Sequence, residues 1–442
     1  MGKKISPYIL IVFSFISIII LGAILLTFRI SLKNGINITF FDALFTATSA
    51  VTVTGLSVLD VSKTFNGFGR VIILILIQLG GLGVLTFSSL IVLLISKKIG
   101  YYTKKLVRED LNFEDKLDIY LYIKKVAMVV FGIELLGAFF LLTDFLKKYS
   151  LGKAIFYSIF HSISAFCNAG FSLYSDNLEG FVDNIYVNII IALLIFTGGV
   201  GFAAIIDIYN YINGKSRRLT INTKFSINIT VSLLLIGMFM FFIFEYTNLS
   251  SIGSMSIGKK ILASFFQSVS LRTAGFNTVN LNELRVPTVL ISCVLMFIGA
   301  SPGSTGGGIK TNTVGILFLG IKASLKNKGE MVFSKRSISF KTFNKAAALL
   351  LIAISYVFFI FALMSIFESD KDIVKVLFEL ISAMGTVGLS MGITAELTVY
   401  SKILIIITMF LGRVGLLTVV LALSRNTGKG KYAYPEENIL IG

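Results

Sequence analysis

The sequence predicts an all-α integral membrane fold: four helix–pore loop–helix repeats around one central pore, with eight transmembrane helices. Three observations predict it. The chain of 442 residues is 55% hydrophobic and only 14% charged, where soluble domains run nearer a quarter charged. Apolar runs at 9–28, 71–95, 187–206, 346–367 and 403–423 each match the roughly 20 helical residues that cross about 30 Å of hydrocarbon. Between the spans, a short amphipathic segment followed by a glycine turn occurs four times.

The first run follows Lys3 and Lys4. It exceeds the roughly 7–15 apolar residues of a signal peptide, so it is expected to stay as the first span. The net charge of +17 would suggest a nucleic-acid partner in a soluble protein. Here the basic residues gather in short connections, and no nucleic acid is expected. Lys97, Lys98, Lys104, Lys105 and Arg108 form one group; Lys215, Arg217, Arg218 and Lys224 a second; Lys322, Lys326, Lys328, Lys335, Arg336, Lys341 and Lys345 a third. By the positive-inside rule these connections and both termini face the cytoplasm. They also suit contact with anionic membrane lipids.

The four short segments span 41–50, 154–166, 261–271 and 376–384, too short to cross a bilayer. Each fits a re-entrant half-helix, since irregular backbone survives at membrane depth only inside protein or against water. All carry Phe-x-x-x-Ser: Phe45 and Ser49, Phe160 and Ser164, Phe266 and Ser270, Phe378 and Ser382. In the third copy the pair sits one residue closer to its glycine. The glycines Gly55, Gly170, Gly275 and Gly388 recur at intervals of about 105–115 residues, an internal fourfold repeat. The repeats are read as 1–98, 120–213, 223–325 and 341–424, with a cytoplasmic tail at 425–442.

The second spans repeat Gly80-Gly81, Gly198-Gly199 and Gly412-Arg413, small residues that let helices approach closely. The third copy instead carries Gly299 to Thr311, with Pro302 and three consecutive glycines. Proline and glycine break a helix, so an irregular mid-membrane loop is expected in that copy.

A bare alkali cation needs oxygens to replace its hydration shell, and a ring of backbone carbonyls supplies them without a trapping charge. The half-helices would add the negative ends of their dipoles. The expected ion-binding carbonyls are those of Val53, Thr54 and Gly55; Asn168, Ala169 and Gly170; Thr273, Ala274 and Gly275; Thr386, Val387 and Gly388. The plainer alternative is four ordinary turns, which would not require matching flanks.

These loops, the Gly-Gly second spans, the interrupted third copy and Arg413 together resemble the Trk/Ktr/HKT superfamily of potassium transporters, over nearly the whole chain. Eight spans, the chain length and the C-terminal stretch 434–442 are most similar to the membrane subunits of bacterial Ktr uptake systems. The resemblance implies potassium (K+) as transported ion, a homodimer with a pore in each protomer, and a cytosolic ring of nucleotide-binding regulatory subunits. It also implies a bacterial cell (inner) membrane location and a possible dependence on sodium (Na+). In plant relatives, serine at the first filter glycine goes with sodium preference; glycine in all four filters favours potassium.

Arg413 stands mid-span, where insertion of arginine costs roughly 2.5–3.5 kcal/mol, so it should face the interior. The expected gate beneath the filter comprises Arg413 with Gly303, Ser304, Thr305, Gly306, Gly307, Gly308 and Lys310. A buried structural arginine and a packing kink are the alternatives. Arg272 is expected behind the third filter, toward an acidic partner such as Glu379. His161, the single histidine, excludes a multi-histidine metal site and is expected to be packed or hydrogen-bonded. Cys167 is read as a small packing residue; with Cys293 it makes no disulfide framework. Other readings are a sodium or mixed Na/K transporter of the same superfamily, or a cation-coupled secondary symporter. An intramembrane enzyme would need a catalytic dyad that the spans do not offer, so none is expected.

Overall fold

The computed structural model describes residues 7–83, 119–327, 329–416 and 418–419. The first basic group, Lys328 and the 425–442 tail lie outside the described residues. The long helices are α1 (Pro7–Thr27), α4 (Ile119–Phe145), α8 (Ile221–Glu245) and α12 (Phe340–Phe367). Each is followed by a half-helix: α2 (Phe40–Val51), α5 (Leu151–Phe166), α9 (Ile257–Ser270) and α13 (Ile373–Gly385). Then come α3 (Gly67–Leu82), α6 (Ile185–Val200) with α7 (Phe202–Ile212), α10 (Val286–Phe297) with α11 (Thr311–Leu325), and α14 (Val399–Val414).

The starts of these helices are written locally. Thr39 and Asp42 make a reciprocal capping box at α2. Asn66, Asn184 and Thr398 cap α3, α6 and α14 by accepting the Gly69, Val187 and Ser401 N–H at 3.1, 3.1 and 3.3 Å. Proline near the start of α10 is tolerated because the first helical N–H groups have no intrahelical partner.

Among the described residues, α1, α4, α8 and α12 contain stretches long and apolar enough to cross a membrane, and α6 with α7 adds a fifth as a pair bent by 102°. Phe13, Leu135, Phe239 and Phe358 on the long helices are exposed, as lipid-facing apolar residues are in a multi-pass membrane protein.

The second helices differ from expectation. An interruption was expected in the third copy alone, yet all four end or bend at matching places. Gly83 (φ 83°) ends α3, Gly201 (φ 101°) stands at the α6–α7 bend, and Gly415 (φ 91°) ends α14. Positive φ is easy for glycine and stops the helical ladder. The third copy inserts 298–310 between α10 and α11. Strands β1 (Met331–Phe333) and β2 (Arg336–Ile338) also depart from an all-α reading. Ser334 and Lys335 at φ 49° and 64° make a tight hairpin turn of the kind that suits strand twist.

Within each copy the half-helix and the second helix both pack on the long helix. Between copies the order is cyclic. α3 packs on α5, α6 on α9, α10 on α13, and α14 returns to α2. The four half-helices therefore surround one axis.

Candidate functional site

The four glycine turns lie at the C-terminal ends of the half-helices, with Gly170 and Gly275 buried and Gly55 and Gly388 half-buried. Val53, Asn168, Thr273 and Thr386 have left-handed φ of 55°, 59°, 67° and 50°. The glycines two residues on have φ of 96°, 66°, 75° and 89°, whereas Thr54, Ala169, Ala274 and Val387 do not leave the ordinary range. This alternation lets successive carbonyls face one side. Left-handed backbone is costly for the β-branched Val53, Thr273 and Thr386, roughly 1–3 kcal/mol each, and persists only where the surroundings enforce it.

The serines of the Phe-x-x-x-Ser pattern supply that enforcement. Thr54, Ala169, Ala274 and Val387 donate their N–H to the carbonyls of Ser49, Ser164, Ser270 and Ser382 at 2.8, 2.7, 3.0 and 2.8 Å. Ser49 Oγ and Ser382 Oγ accept the Gly55 and Gly388 N–H at 3.0 and 3.1 Å. Ser164 Oγ donates to the Phe171 carbonyl at 2.8 Å, and Ser270 Oγ to that of Phe276. The shorter third copy keeps the pairing because Ala274 reaches Ser270 across one residue fewer.

The turns meet in a closed circle. A Cβ on Gly55 would stand 2.5 Å from the Ala169 carbonyl oxygen, and one on Gly170 2.9 Å from that of Ala274. Gly275 faces the Val387 carbonyl and Gly388 that of Thr54 in the same way. A side chain at any of the four would enter the neighbouring backbone. Among the described residues, one of the carbonyls assigned to ion binding accepts a protein hydrogen bond: that of Gly275, from Asn177 Nδ2 at 3.1 Å. The others are left with their lone pairs free of protein donors.

The segment between α10 and α11 runs against the turns. Gly307 N–H donates to Thr386 Oγ1 at 2.9 Å, and Gly306 lies against Thr273 Oγ1. Thr305 Oγ1 donates to the Phe166 carbonyl at the end of α5 at 3.2 Å. Ser301, Thr305 and Gly308 donate N–H to the carbonyls of Gly199, Gly198 and Gly412 at 3.0, 3.3 and 3.1 Å. Gly303 accepts the Phe202 N–H at 2.8 Å, Ser304 Oγ donates to Ser301 at 2.6 Å, and Lys310 Nζ donates to Gly306 at 2.7 Å. Arg413 donates from Nη1 to the Thr305 carbonyl, and from Nη2 to the Gly80 carbonyl and, at 3.2 Å, to Gly81. One side chain thus joins the loop to the first and fourth second helices.

Arg272 does not reach Glu379. Its Nη2 donates to the Gly299 carbonyl at 2.7 Å. Glu379 accepts instead from Ser390 Oγ and, at 3.0 Å, from Thr394 Oγ1. Both are buried on short polar tethers, and a backbone carbonyl at the loop's start outcompetes a carboxylate already satisfied in its own repeat. His161 is buried and hydrogen-bonded, with Nδ1 2.8 Å from the Tyr157 carbonyl and Nε2 3.2 Å from Ser172 Oγ. Cys167 packs against Gly81.

The sequence reading missed Glu134 and Gln78. Both Glu134 oxygens accept from Gln78 Nε2, at 3.1 and 3.2 Å, and Cys167 Sγ stands 3.8 Å from Oε1. The only signal was an acidic residue inside an apolar run.

A ring of half-helices, four turns whose carbonyls, that of Gly275 apart, take no protein donor among the described residues, and an arginine-pinned loop suit passage of a dehydrated cation. A family model described as "Cation transport protein", TrkH, matches residues 6–433. The chain belongs to this TrkH family of cation transport proteins. The Ktr system potassium uptake protein B of Bacillus subtilis is 40% identical over 99% of this chain and 96% of that one. The potassium/sodium uptake protein NtpJ of Enterococcus hirae is 36% identical over 100% of this chain and 98% of that one. The crystal structure of the potassium transporter TrkH from Vibrio parahaemolyticus shares the fold, with a TM-score of 0.71 at 16% identity over 96% of this chain and 86% of that one. As in its family, the chain is a multi-pass membrane protein with a role in cation transport.

Proposed function

We propose that this chain is the potassium-translocating membrane subunit of a Ktr-type uptake system. The observation that carries the reading is the closed ring Gly55–Gly170–Gly275–Gly388, whose filter carbonyls, that of Gly275 apart, take no protein donor among the described residues. Such oxygens repay a cation for lost water while leaving no fixed charge to hold it. Val53, Thr54 and Gly55 and their counterparts in the other copies form the filter. The dipoles of four half-helices, each equivalent to roughly half a negative charge at its end, add attraction at the axis.

Beneath the filter, 303–310 and Arg413 form the gate. The stretch 303–308 is tied mainly by hydrogen bonds to neighbouring backbone and hydroxyl groups, bonds that can exchange partners, while Ile309 anchors its end in the core. The Arg413 charge raises the barrier to cations while it stays in the path. With the second helices counted as interrupted crossings, eight spans keep both termini on one side, and the positive-inside rule makes that side the cytoplasm. A homodimer with one pore per protomer and a cytosolic nucleotide-binding ring complete the system. The exposed Lys322, Lys326, Lys335, Arg336, Lys341 and Lys345 offer the ring or anionic lipid a basic face.

The deciding experiment is growth rescue of a potassium-uptake-deficient bacterium at low potassium, with and without a co-expressed cytosolic partner. Rescue that requires potassium and is enhanced by the partner is expected. Failure with every partner, or slow saturable coupled flux that follows a second solute, overturns the reading in favour of a symporter. The NtpJ name supports a second reading, mixed potassium and sodium transport; equal rescue and accumulation with either ion would establish it.

A further inference from the structure

The four filter copies are alike in their inner hydrogen bonds and unlike at their outer edge. After Gly170 the chain rises through Phe171–Asp176 and crosses to the third copy. There Asn177 donates Nδ2 to the Gly275 carbonyl at 3.1 Å. Two further bonds lock the crossing: Leu178 N–H to the Asn277 carbonyl at 3.0 Å and Asn277 Nδ2 to Glu179 Oε1 at 2.8 Å. Asn177 is itself left-handed, at φ 56°, and its carbonyl accepts Ser172 Oγ at 3.1 Å. Its Oδ1 is buried and takes no hydrogen bond, a loss that native structures normally avoid. Among the described residues, no side chain does the same at Gly55, Gly170 or Gly388.

We infer that Asn177 is a specificity-determining positioning residue, its amide fixing the Gly275 carbonyl and so setting the geometry of the outermost oxygen ring. This rests on the filter reading above. A carbonyl held by a donor cannot swing in to shorten its distance to a smaller ion. A free one can, and the larger monovalent cation loses its advantage. The mouth is thus built by two repeats, with the second supplying the brace for the third.

The test uses the full chain with its cytosolic partner in cells lacking their own potassium uptake. Initial uptake of K+ and Na+ is measured against concentration. Asn177→Gly removes the amide while suiting the left-handed backbone. Asn177→Asp keeps an oxygen and loses the donor. Asn277→Ala loosens the same crossing without touching Gly275. One hydrogen bond corresponds to about a 2- to 10-fold effect. The ratio of KM for Na+ to KM for K+ is therefore expected to fall by that factor in both Asn177 variants. Maximal rate should change less, and Asn277→Ala should keep the wild-type ratio. Unchanged ratios in both Asn177 variants, with normal wild-type uptake, overturn the inference and leave the filter reading standing. An equal shift in Asn277→Ala overturns it too, because general loosening then accounts for the effect. Absence of uptake by the wild type overturns the filter reading itself.

Discussion

Gly388 lies against the carbonyl of Thr54, so that a methyl group at the fourth turn would enter the backbone of the first. This relationship closes the circle begun by Gly55 against Ala169, and it explains why glycine is needed at this position for reasons beyond its own φ of 89°. The neighbour is backbone and cannot rotate away. Gly388→Ala is expected to lower potassium uptake at low external potassium by at least about tenfold, a change of about 1.4 kcal/mol in the barrier. Rubidium or potassium uptake, normalised to the amount of protein in the membrane, checks it. Uptake within twofold of wild type would show that the ring tolerates the methyl group.

Ser49 Oγ accepts the Gly55 N–H. Ser49→Ala leaves that buried donor unsatisfied, at a cost of about 1–3 kcal/mol, in a turn already strained at Val53. The expected result is a lower thermal midpoint in detergent together with a weaker preference for potassium over sodium. Ser49→Thr retains the acceptor, so recovery of preference in that variant separates the hydrogen bond from the lost volume.

Arg413 holds the Thr305 carbonyl with one nitrogen and the Gly80 and Gly81 carbonyls with another. Arg413→Ala is expected to raise ion flux, as both the charge and the tie to the loop disappear. Arg413→Lys keeps the charge, but a single ammonium cannot reproduce the planar fork, so flux should lie between the two. Deletion of 304–307 should raise flux as well. Unaltered flux in the deletion and in Arg413→Ala would remove the gate from the proposal.

Gln78 is the side-chain amide donor to both oxygens of buried Glu134. Gln78→Leu leaves the Glu134 carboxyl with a weak thiol donor, and leaving a buried polar group unsatisfied costs about 1–3 kcal/mol. The double change Gln78→Leu with Glu134→Leu should recover most of that stability. A thermal-melt cycle over the four proteins measures the coupling; additive effects would show that the two groups act separately.

Glu179 lies in the connection between α5 and α6 and accepts from Asn277 beside the third glycine turn. Burial, then the negative charge of Asp176, raise its pKa above the ordinary glutamate value, while the Asn277 amide pulls it down. The folded form therefore binds this proton more tightly than the unfolded chain. Its contribution to stability is fully present below the unfolded glutamate pKa of about 4.3 and is lost as pH rises through the raised folded value. Thermal stability in detergent should carry this step. Glu179→Gln should flatten it while leaving an acceptor for Asn277. A step of undiminished size in the variant would assign it to another group.

Several of these relationships were legible before any coordinates. Apolar length gives the long helices α1 and α12, and Phe-x-x-x-Ser with a following glycine marks each half-helix and turn. These are local signals, because a span needs its own length and a left-handed turn its own glycine. The serine's partner was not legible, although its spacing was. The breaks at Gly83, Gly201 and Gly415 could have been read from glycines beyond the Gly-Gly pairs, but three adjacent glycines and Pro302 drew the expectation to the third copy alone.

The sequence by itself determined a multi-pass membrane protein with four short helices each followed by a glycine turn, since hydropathy and backbone sterics are properties of neighbouring residues. The tertiary structure alone decided the cyclic order of the turns, the direction of Arg272 toward Gly299 rather than Glu379, the reach of Arg413 to three carbonyls, and the brace from Asn177 to Gly275. Each joins residues far apart in the chain. Which partner a buried polar group finds is settled by what packing brings within hydrogen-bond distance, and periodicity carries no record of that.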